Sequence, residues 1–215
     1  MKRLAFAALV VCTAAAPAAA QDATAIVGRA ARVYRSMGAL QADFAQTITD
    51  PMLGPEESRG TLVQSGQNRL AMRFADPAGD AIVVDGKQVW VYTPSSTPNQ
   101  VIRLPVPSGP VYGFNLLGWL LDRPAERYRV RFLRTEAVSG RQTDVVELLP
   151  KSDDIPFSKA ILWLDHEDAL PRKLEVRERG GMTRTLLLSN LRPNAPTTEK
   201  TFVFTVPRGT KIVDQ

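Results

Sequence analysis

The single histidine, His166, stands in the run Asp165-His166-Glu167-Asp168, where every side chain could ligate a metal or move a proton. A metal site needs three or four ligands converging in space, and acid-base catalysis needs a nucleophile or substrate within hydrogen-bond reach of the base. This run has no second histidine and no neighbouring cysteine to converge with, and it lies between two stretches of strand character, so it reads as an exposed polar turn. The paired carboxylates Glu56-Glu57 and Asp153-Asp154 have the composition of an acid-base pair, but their Pro- and Ser-containing surroundings read as loops carrying solvated charge. The chain contains neither a Gly-x-Ser-x-Gly elbow nor a phosphate-cradling glycine loop. The expectation is a protein with no catalytic residues, no metal and no cofactor.

The remaining cysteine is Cys12, inside an apolar stretch that follows Met1-Lys2-Arg3 and ends at Ala18-Ala19-Ala20. This is the layout of a secretory signal peptide with small residues at the cleavage site, so residues 1–20 are expected to be removed after Ala20. Cys12 follows Val11, where lipid attachment wants a small residue, so it is not read as a lipid anchor. Residues 21–215 then form one domain without disulfide or thiol chemistry, large enough to bury a sizeable core. The whole chain has 27 Lys and Arg against 22 Asp and Glu; without Lys2 and Arg3 the balance is 25 against 22, or +3. So mild and dispersed an excess does not point to nucleic acid. The basic groups at Arg127, Arg129, Arg131, Arg134 and at Arg172, Lys173, Arg177, Arg179 read as solvated strand faces.

The elements that would carry a function are therefore apolar. Ile26, Ala30, Val33, Tyr34 and Met37 recur at helical spacing and Gly38 ends the run. From Leu40 the period becomes two, with Leu40, Ala42, Phe44, Gln46 and Ile48 on one face. Strands are expected over 60–65, over 69–74 with Leu70, Met72 and Phe74 on one face, then over 81–84, 88–92 and 99–104, the Asp85-Gly86 pair forming a tight hairpin turn. Residues 111–121, holding Phe114, Leu116, Leu117, Trp119, Leu120 and Leu121, read as a short buried helix. Strands resume over 128–133, 144–149, 158–165, 170–178 and 183–191, and residues 202–209 read as a last short strand and turn. The connections are too short for crossover helices. The expected fold is mainly β with helical insertions: one antiparallel barrel or half-barrel of about eleven strands, an N-terminal helix and a short second helix that is either part of the core or a lid over a cavity.

Periodicity cannot decide whether such a barrel is filled by its own side chains or lined for a ligand. Three segments bear on this. Gly38-Ala39-Leu40-Gln41-Ala42-Asp43-Phe44-Ala45-Gln46-Thr47 resembles the first strand of the LolA family of lipoprotein carriers, Asp85-Gly86-Lys87-Gln88-Val89-Trp90-Val91-Tyr92-Thr93-Pro94 is similar to its aromatic hairpin, and Phe202-Val203-Phe204-Thr205-Val206-Pro207-Arg208-Gly209 resembles its closing strand. Gly60-Thr61-Leu62 and the strand through Leu70, Met72 and Phe74 fall between them in the family's order.

The resemblance implies that the barrel is unclosed, with a short helical lid, and that the protein is a monomeric periplasmic chaperone whose concave apolar face holds the acyl chains of lipoproteins and carries them from the inner to the outer membrane. It implies as partners acylated lipoproteins, an inner-membrane ABC-type lipoprotein-releasing complex and an outer-membrane acceptor. By position, Leu40, Ala42, Phe44, Ile48, Leu62, Leu70, Met72 and Phe74 match its cavity strands, and Phe114, Leu117, Leu120 and Leu121 its lid. One departure is visible: the family's lid-bonding arginine in the turn before the cavity strand is missing, since that turn reads Ser65-Gly66-Gln67-Asn68, and Arg69 should face away from the cavity. The alternative function is a periplasmic lipid- or glycolipid-binding or envelope-sensing protein of the same fold that does not shuttle lipoproteins.

Overall fold

The computed structural model describes residues 22–66, 68–106 and 115–215. Helix α1 (Ala23–Ser36) is followed by strands β1 (Ala39–Asp50), β2 (Gly54–Ser65), β3 (Arg69–Asp76), β4 (Ala81–Asp85), β5 (Gln88–Tyr92) and β6 (Gln100–Pro105). The short helices α2 (Leu116–Leu121) and α3 (Pro124–Arg127) lead into β7 (Tyr128–Val138), β8 (Arg141–Pro150), β9 (Phe157–Asp165), β10 (Pro171–Glu178), β11 (Thr183–Pro193) and β12 (Lys211–Asp214). The strands form one sheet in the order β12-β6-β5-β4-β3-β2-β1-β11-β10-β9-β8-β7, so among the described residues β12 and β7 are its edges and the barrel is unclosed.

Period-two alternation places Leu40, Ala42 and Phe44 of β1, Leu62 of β2, Leu70 and Met72 of β3, Val84, Val89, Leu174, Val176, Leu186 and Leu188 in one buried cluster. Val146 and Leu148 of β8 belong to the same cluster, so the sheet curls far enough to bring its two halves together. Val27, Ala30 and Ala31 of α1 and the leucines of α2 also join it, so both helices sit inside the curve. Asp22 caps α1, its side chain accepting from Thr24 N and Ala25 N. The convex side is covered separately: Phe202 and Phe204 pack over Ala71, Val83, Val63 and Trp90, with Trp90 and Phe204 stacked at 5.7 Å.

Three sequence expectations require correction. Glu56-Glu57 lies on β2, not in a loop: the β1–β2 hairpin is twelve residues on each side, and the part of β2 before Arg59 pairs with β1 but not with β3, so its side chains stay solvated while the backbone keeps its ladder to β1. Residues 202–209 are no strand: residues Glu199–Phe202 make a 3-10 turn, and the closing strand is β12, which pairs in parallel with β6 and brings the number of strands to twelve. A parallel partner is a long-range choice that local turn signals do not encode. Arg127 and Arg172 are not solvated strand residues either, since Arg127 lies 3.8 Å above the Trp119 ring and the Arg172 side chain is 11% exposed in an ion pair with Asp165. The signal-peptide reading of residues 1–20 and the position of Phe114 lie outside the described residues.

Gly60 sets the closest approach in the cavity half of the sheet. Across the strands it pairs with Phe44 and Phe74, whose rings meet edge to face at 5.1 Å. A Cβ at Gly60 would lie 2.0 Å from the Arg73 carbonyl oxygen and 2.8 Å from Phe74 Cα, both backbone atoms that cannot swing aside. Gly60→Ala is therefore expected to cost at least the ~1–3 kcal/mol of a core overpacking substitution, lowering the thermal midpoint by several degrees in a circular-dichroism melt. An unchanged midpoint would show that β2 and β3 can separate freely.

Candidate functional site

Helix α2 lies across the inner face over β1 to β4. Its sequence, Leu-Leu-Gly-Trp-Leu-Leu, is apolar around most of its circumference, and Leu116, Leu117, Leu120 and Leu121 are all buried. Asn115 caps it: its Oδ1 accepts from Gly118 N at 2.9 Å. Position 118 has to be glycine for this, because a Cβ would stand 2.7–2.9 Å from the Asn115 side chain. Near its C-terminal end, Trp119 lies between the Arg127 guanidinium and the Phe157 ring, 5.5 Å away, and Arg127 Nη1 donates to the Trp119 carbonyl at 2.9 Å.

Two cavities flank this helix. The inner one, about 120 Å³, is walled by Ile48, Leu62, Leu70, Met72, Ile82, Leu116, Leu117 and Leu186, with Gln46, Gln64, Asn115 and Arg184 as its polar members. The outer one, about 240 Å³, lies where α1 ends and is lined by Tyr34, Arg35, Met37, Ala39, Leu40, Gln64, Gly66, Gly118, Leu121 and Asp122. Gln64 belongs to both walls.

A short polar chain crosses this apolar interior. Gln64 Nε2 donates to the Tyr34 hydroxyl and, at 3.1 Å, to the Gly66 carbonyl. The Tyr34 hydroxyl donates to Asn115 Oδ1 at 3.3 Å. Burial pushes the Tyr34 hydroxyl well above its ordinary range, and its hydrogen bonds with Gln64 and Asn115 offset only part of this, so it keeps its proton. The chain ties three elements together: the C-terminal end of α1, the inner face of β2 and the cap of α2.

The candidate residues read from sequence separate into groups. Ile48, Leu62, Leu70, Met72 and Leu117 line the inner cavity, and Leu40 and Leu121 the outer one. Ala42, Phe44 and Leu120 are buried beside them in the same core cluster, with Phe74 packed against it. Arg69 does face away from the cavities, pairing with Glu199 at 2.6 Å. Of the polar members, only Gln46 was placed on the inward face from sequence, and none was read as lining the site. Gln46, Gln64 and Arg184 sit on the inward parity of β1, β2 and β11, a signal that was available, but a polar residue on an apolar face gives no sign of being covered. Tyr34 was read only as part of an apolar helix face. His166 stands in the turn after β9 with its Nε2 2.7 Å from Asp144 Oδ1, and among the described residues no group of three or more His, Cys, Asp or Glu is placed to hold a metal ion.

Comparison with known proteins agrees with this architecture. The family model described as outer membrane lipoprotein carrier protein LolA matches residues 35–205. The chain is 26% identical over 187 residues to the outer-membrane lipoprotein carrier protein of Methylobacillus flagellatus, covering 85% of each chain. It is 29% identical over 189 residues to the protein of the same name from Alkalilimnicola ehrlichii, covering 86% of this chain and 81% of that one. Among solved structures, an uncharacterized conserved protein from Thermus thermophilus superposes with a TM-score of 0.57 at 15% identity, over 91% of this chain and all of that one, a likeness of fold alone.

Proposed function

Because the chain belongs to the LolA family of outer membrane lipoprotein carrier proteins, we propose that it takes the acyl chains of a lipoprotein under α2, against the concave face of β1 to β4, and carries them from the inner to the outer membrane. The observation that carries this reading is an apolar inner wall covered by a helix, with cavities of about 120 and 240 Å³ on either side of it. Both are smaller than the ~300–1,000 Å³ of pockets that hold drug-sized ligands, so α2 has to move for an acyl chain to enter.

The energetics suit a carrier. Each methylene kept from water is worth ~0.8 kcal/mol, so acylated protein does not cross an aqueous space unaided. Leu62, Leu70, Met72 and Leu117 offer non-directional contacts that hold chains without locking them in one pose, which release requires. The Tyr34–Gln64–Asn115 chain holds the lid shut in place of the family's turn arginine. In this reading residues 1–20 are an export signal removed after Ala20, and residues 21–215 work in the periplasm as a monomeric single domain. An inner-membrane ABC-type complex loads it and an outer-membrane acceptor unloads it. The role is one of binding, without catalysis.

Mass spectrometry of material co-purified with the mature protein from periplasm is expected to find acylated protein, and the mature N-terminus at Gln21. Free glycolipid in its place, or no lipid at all, would overturn the carrier reading.

A further inference from the structure

Gln64 holds a hydrogen-bond acceptor that no donor among the described residues meets. The residue is 4% exposed, on the inner face of β2 and in the wall of both cavities. The orientation of its amide follows from its neighbours. The Gly66 carbonyl can only accept, so the Gln64 atom 3.1 Å from it is Nε2. The second hydrogen of Nε2 goes to the Tyr34 hydroxyl. That hydroxyl gives its own hydrogen to Asn115 Oδ1, whose identity as oxygen is set by the Gly118 N–H at 2.9 Å. Donors thus run one way, from Gln64 through Tyr34 to Asn115. Gln64 Oε1 is buried, and among the described residues no hydrogen-bond donor meets it. Buried acceptors are rarely left unmatched, and one in a ligand cavity selects for a donor on the ligand.

We propose that Gln64 Oε1 receives the N–H of an amide-linked acyl chain, so that the site distinguishes amide-linked from ester-linked chains; this rests on the carrier reading above. An amide places an N–H directly beside the carbonyl where the chain begins. An ester linkage or an ionised carboxylate presents only acceptors there and would set oxygen against oxygen in a dry environment. The geometry suits the division: the chain lies in the inner cavity among Leu62, Leu70, Met72 and Leu117, and the linkage meets Gln64 at the boundary. The remainder leaves through the outer cavity past Arg35 and Asp122. An N-acylated protein terminus has this chemistry.

The test is displacement of a bound fluorescent fatty acid from the mature protein by two competitors that differ in one atom pair, N-palmitoylglycine methyl ester and its ester analogue palmitoyl glycolate methyl ester. The amide is expected to compete about tenfold better, the effect of one hydrogen bond of ~1.4 kcal/mol. Gln64→Met, close in length but without the acceptor, is expected to bring the ratio near one, whatever the loss of its bonds to Tyr34 and Gly66 does to both absolute affinities. Tyr34→Phe breaks the tie to Gln64 but keeps Oε1, and is expected to preserve the ratio, which a purely structural role for Gln64 would not predict. Equal competition by amide and ester in the unaltered protein overturns the proposal, the acceptor then being met by water alone. Monopalmitoylglycerol competing as well as the amide overturns the amide assignment in favour of any hydroxyl or N–H donor. If neither competitor displaces the fluorophore although acylated protein does co-purify, the proposal fails and the carrier reading stands; if no acylated ligand binds, both fall. Should Gln64→Met not fold, the competitor pair on the unaltered protein still decides.

Discussion

Glutamate in place of Ile48 is expected to leave the protein folded and to lower its affinity for acyl chains a hundredfold or more, whereas glutamate in place of Leu70 is expected to compromise the fold itself. Both side chains line the inner cavity, but they sit at different depths. Leu70 is 1% exposed, in the cluster beneath α2, where an introduced carboxylate would be desolvated without a partner. Such a charge costs several kcal/mol, a large share of a typical stability of ~5–15 kcal/mol. Ile48 is only half-buried, and its cross-strand neighbours are Arg184 on β11 and Glu56 on β2. A carboxylate there keeps water on one side and a guanidinium within reach, so the empty protein tolerates it. Bound cargo would strip that water away, and the penalty of several kcal/mol falls on binding. Circular dichroism together with fluorescent fatty-acid titration separates the two effects. Normal binding by Ile48→Glu would place the chains entirely on the outer-cavity side of Gln64.

Asp165→Ala is expected to be the most destabilising exchange outside the apolar core, at about 3–5 kcal/mol. The Asp165 side chain is 1% exposed and accepts from Arg141 Nε at 2.7 Å, Arg172 Nε at 3.0 Å and the Glu167 amide at 2.8 Å. Removing it takes from Arg172, itself mostly buried, one of its two carboxylate partners, Asp168 being the other, and frees the turn that follows β9. Arg29 of α1 grips that turn, donating to the His166 and Glu167 carbonyls at 2.8 and 2.6 Å, so α1 should loosen as well. The thermal midpoint is expected to fall by roughly 6–20 °C for a chain of this size. A change under 1 kcal/mol in a denaturant titration would show that the arginines rehydrate without cost.

The pH dependence has a defined sign. Burial alone would raise the Asp165 carboxyl, but the hydrogen bonds from Arg141, the Glu167 amide and Arg172 outweigh it and hold the group well below the usual carboxylate range. A carboxyl depressed on folding adds stability above its unfolded value of ~3.9, and that contribution is lost as the pH falls from there toward the folded value. Stability of the parent protein is therefore expected to drop on acidification below about pH 4, and Asp165→Asn should flatten that part of the curve.

Much of the fold was legible because its signals are local. The alternation of Leu40, Ala42 and Phe44, of Leu70 and Met72, and of Leu174 and Val176 specifies which side of each strand is buried, since a shift of one residue would turn every apolar side chain outward. The Asp85-Gly86 turn joins β4 to β5 with Gly86 at a φ of 98°, a conformation glycine adopts without strain. Arg69 was placed outside by the same parity that placed Leu70 inside. Those features depend on nearest neighbours along the chain, and period and turn chemistry record them.

What only the tertiary structure decided depends on which segments cover one another. Gln64 has the parity of an inward residue, but its burial, its tie to Tyr34 and its unused acceptor exist only because α1 and α2 close over β2. Asp165 looks like one charge in an exposed acidic turn until β8 and β10 bring Arg141 and Arg172 against it. The parallel pairing of β12 with β6 joins residues about a hundred positions apart. Sequence pattern determines the faces of the strands and the apolar character of α2, because those follow from short-range sterics and hydrophobicity. Tertiary contact determines which polar groups are buried and what they must bind, because desolvation is a property of the assembled surfaces and not of any segment alone.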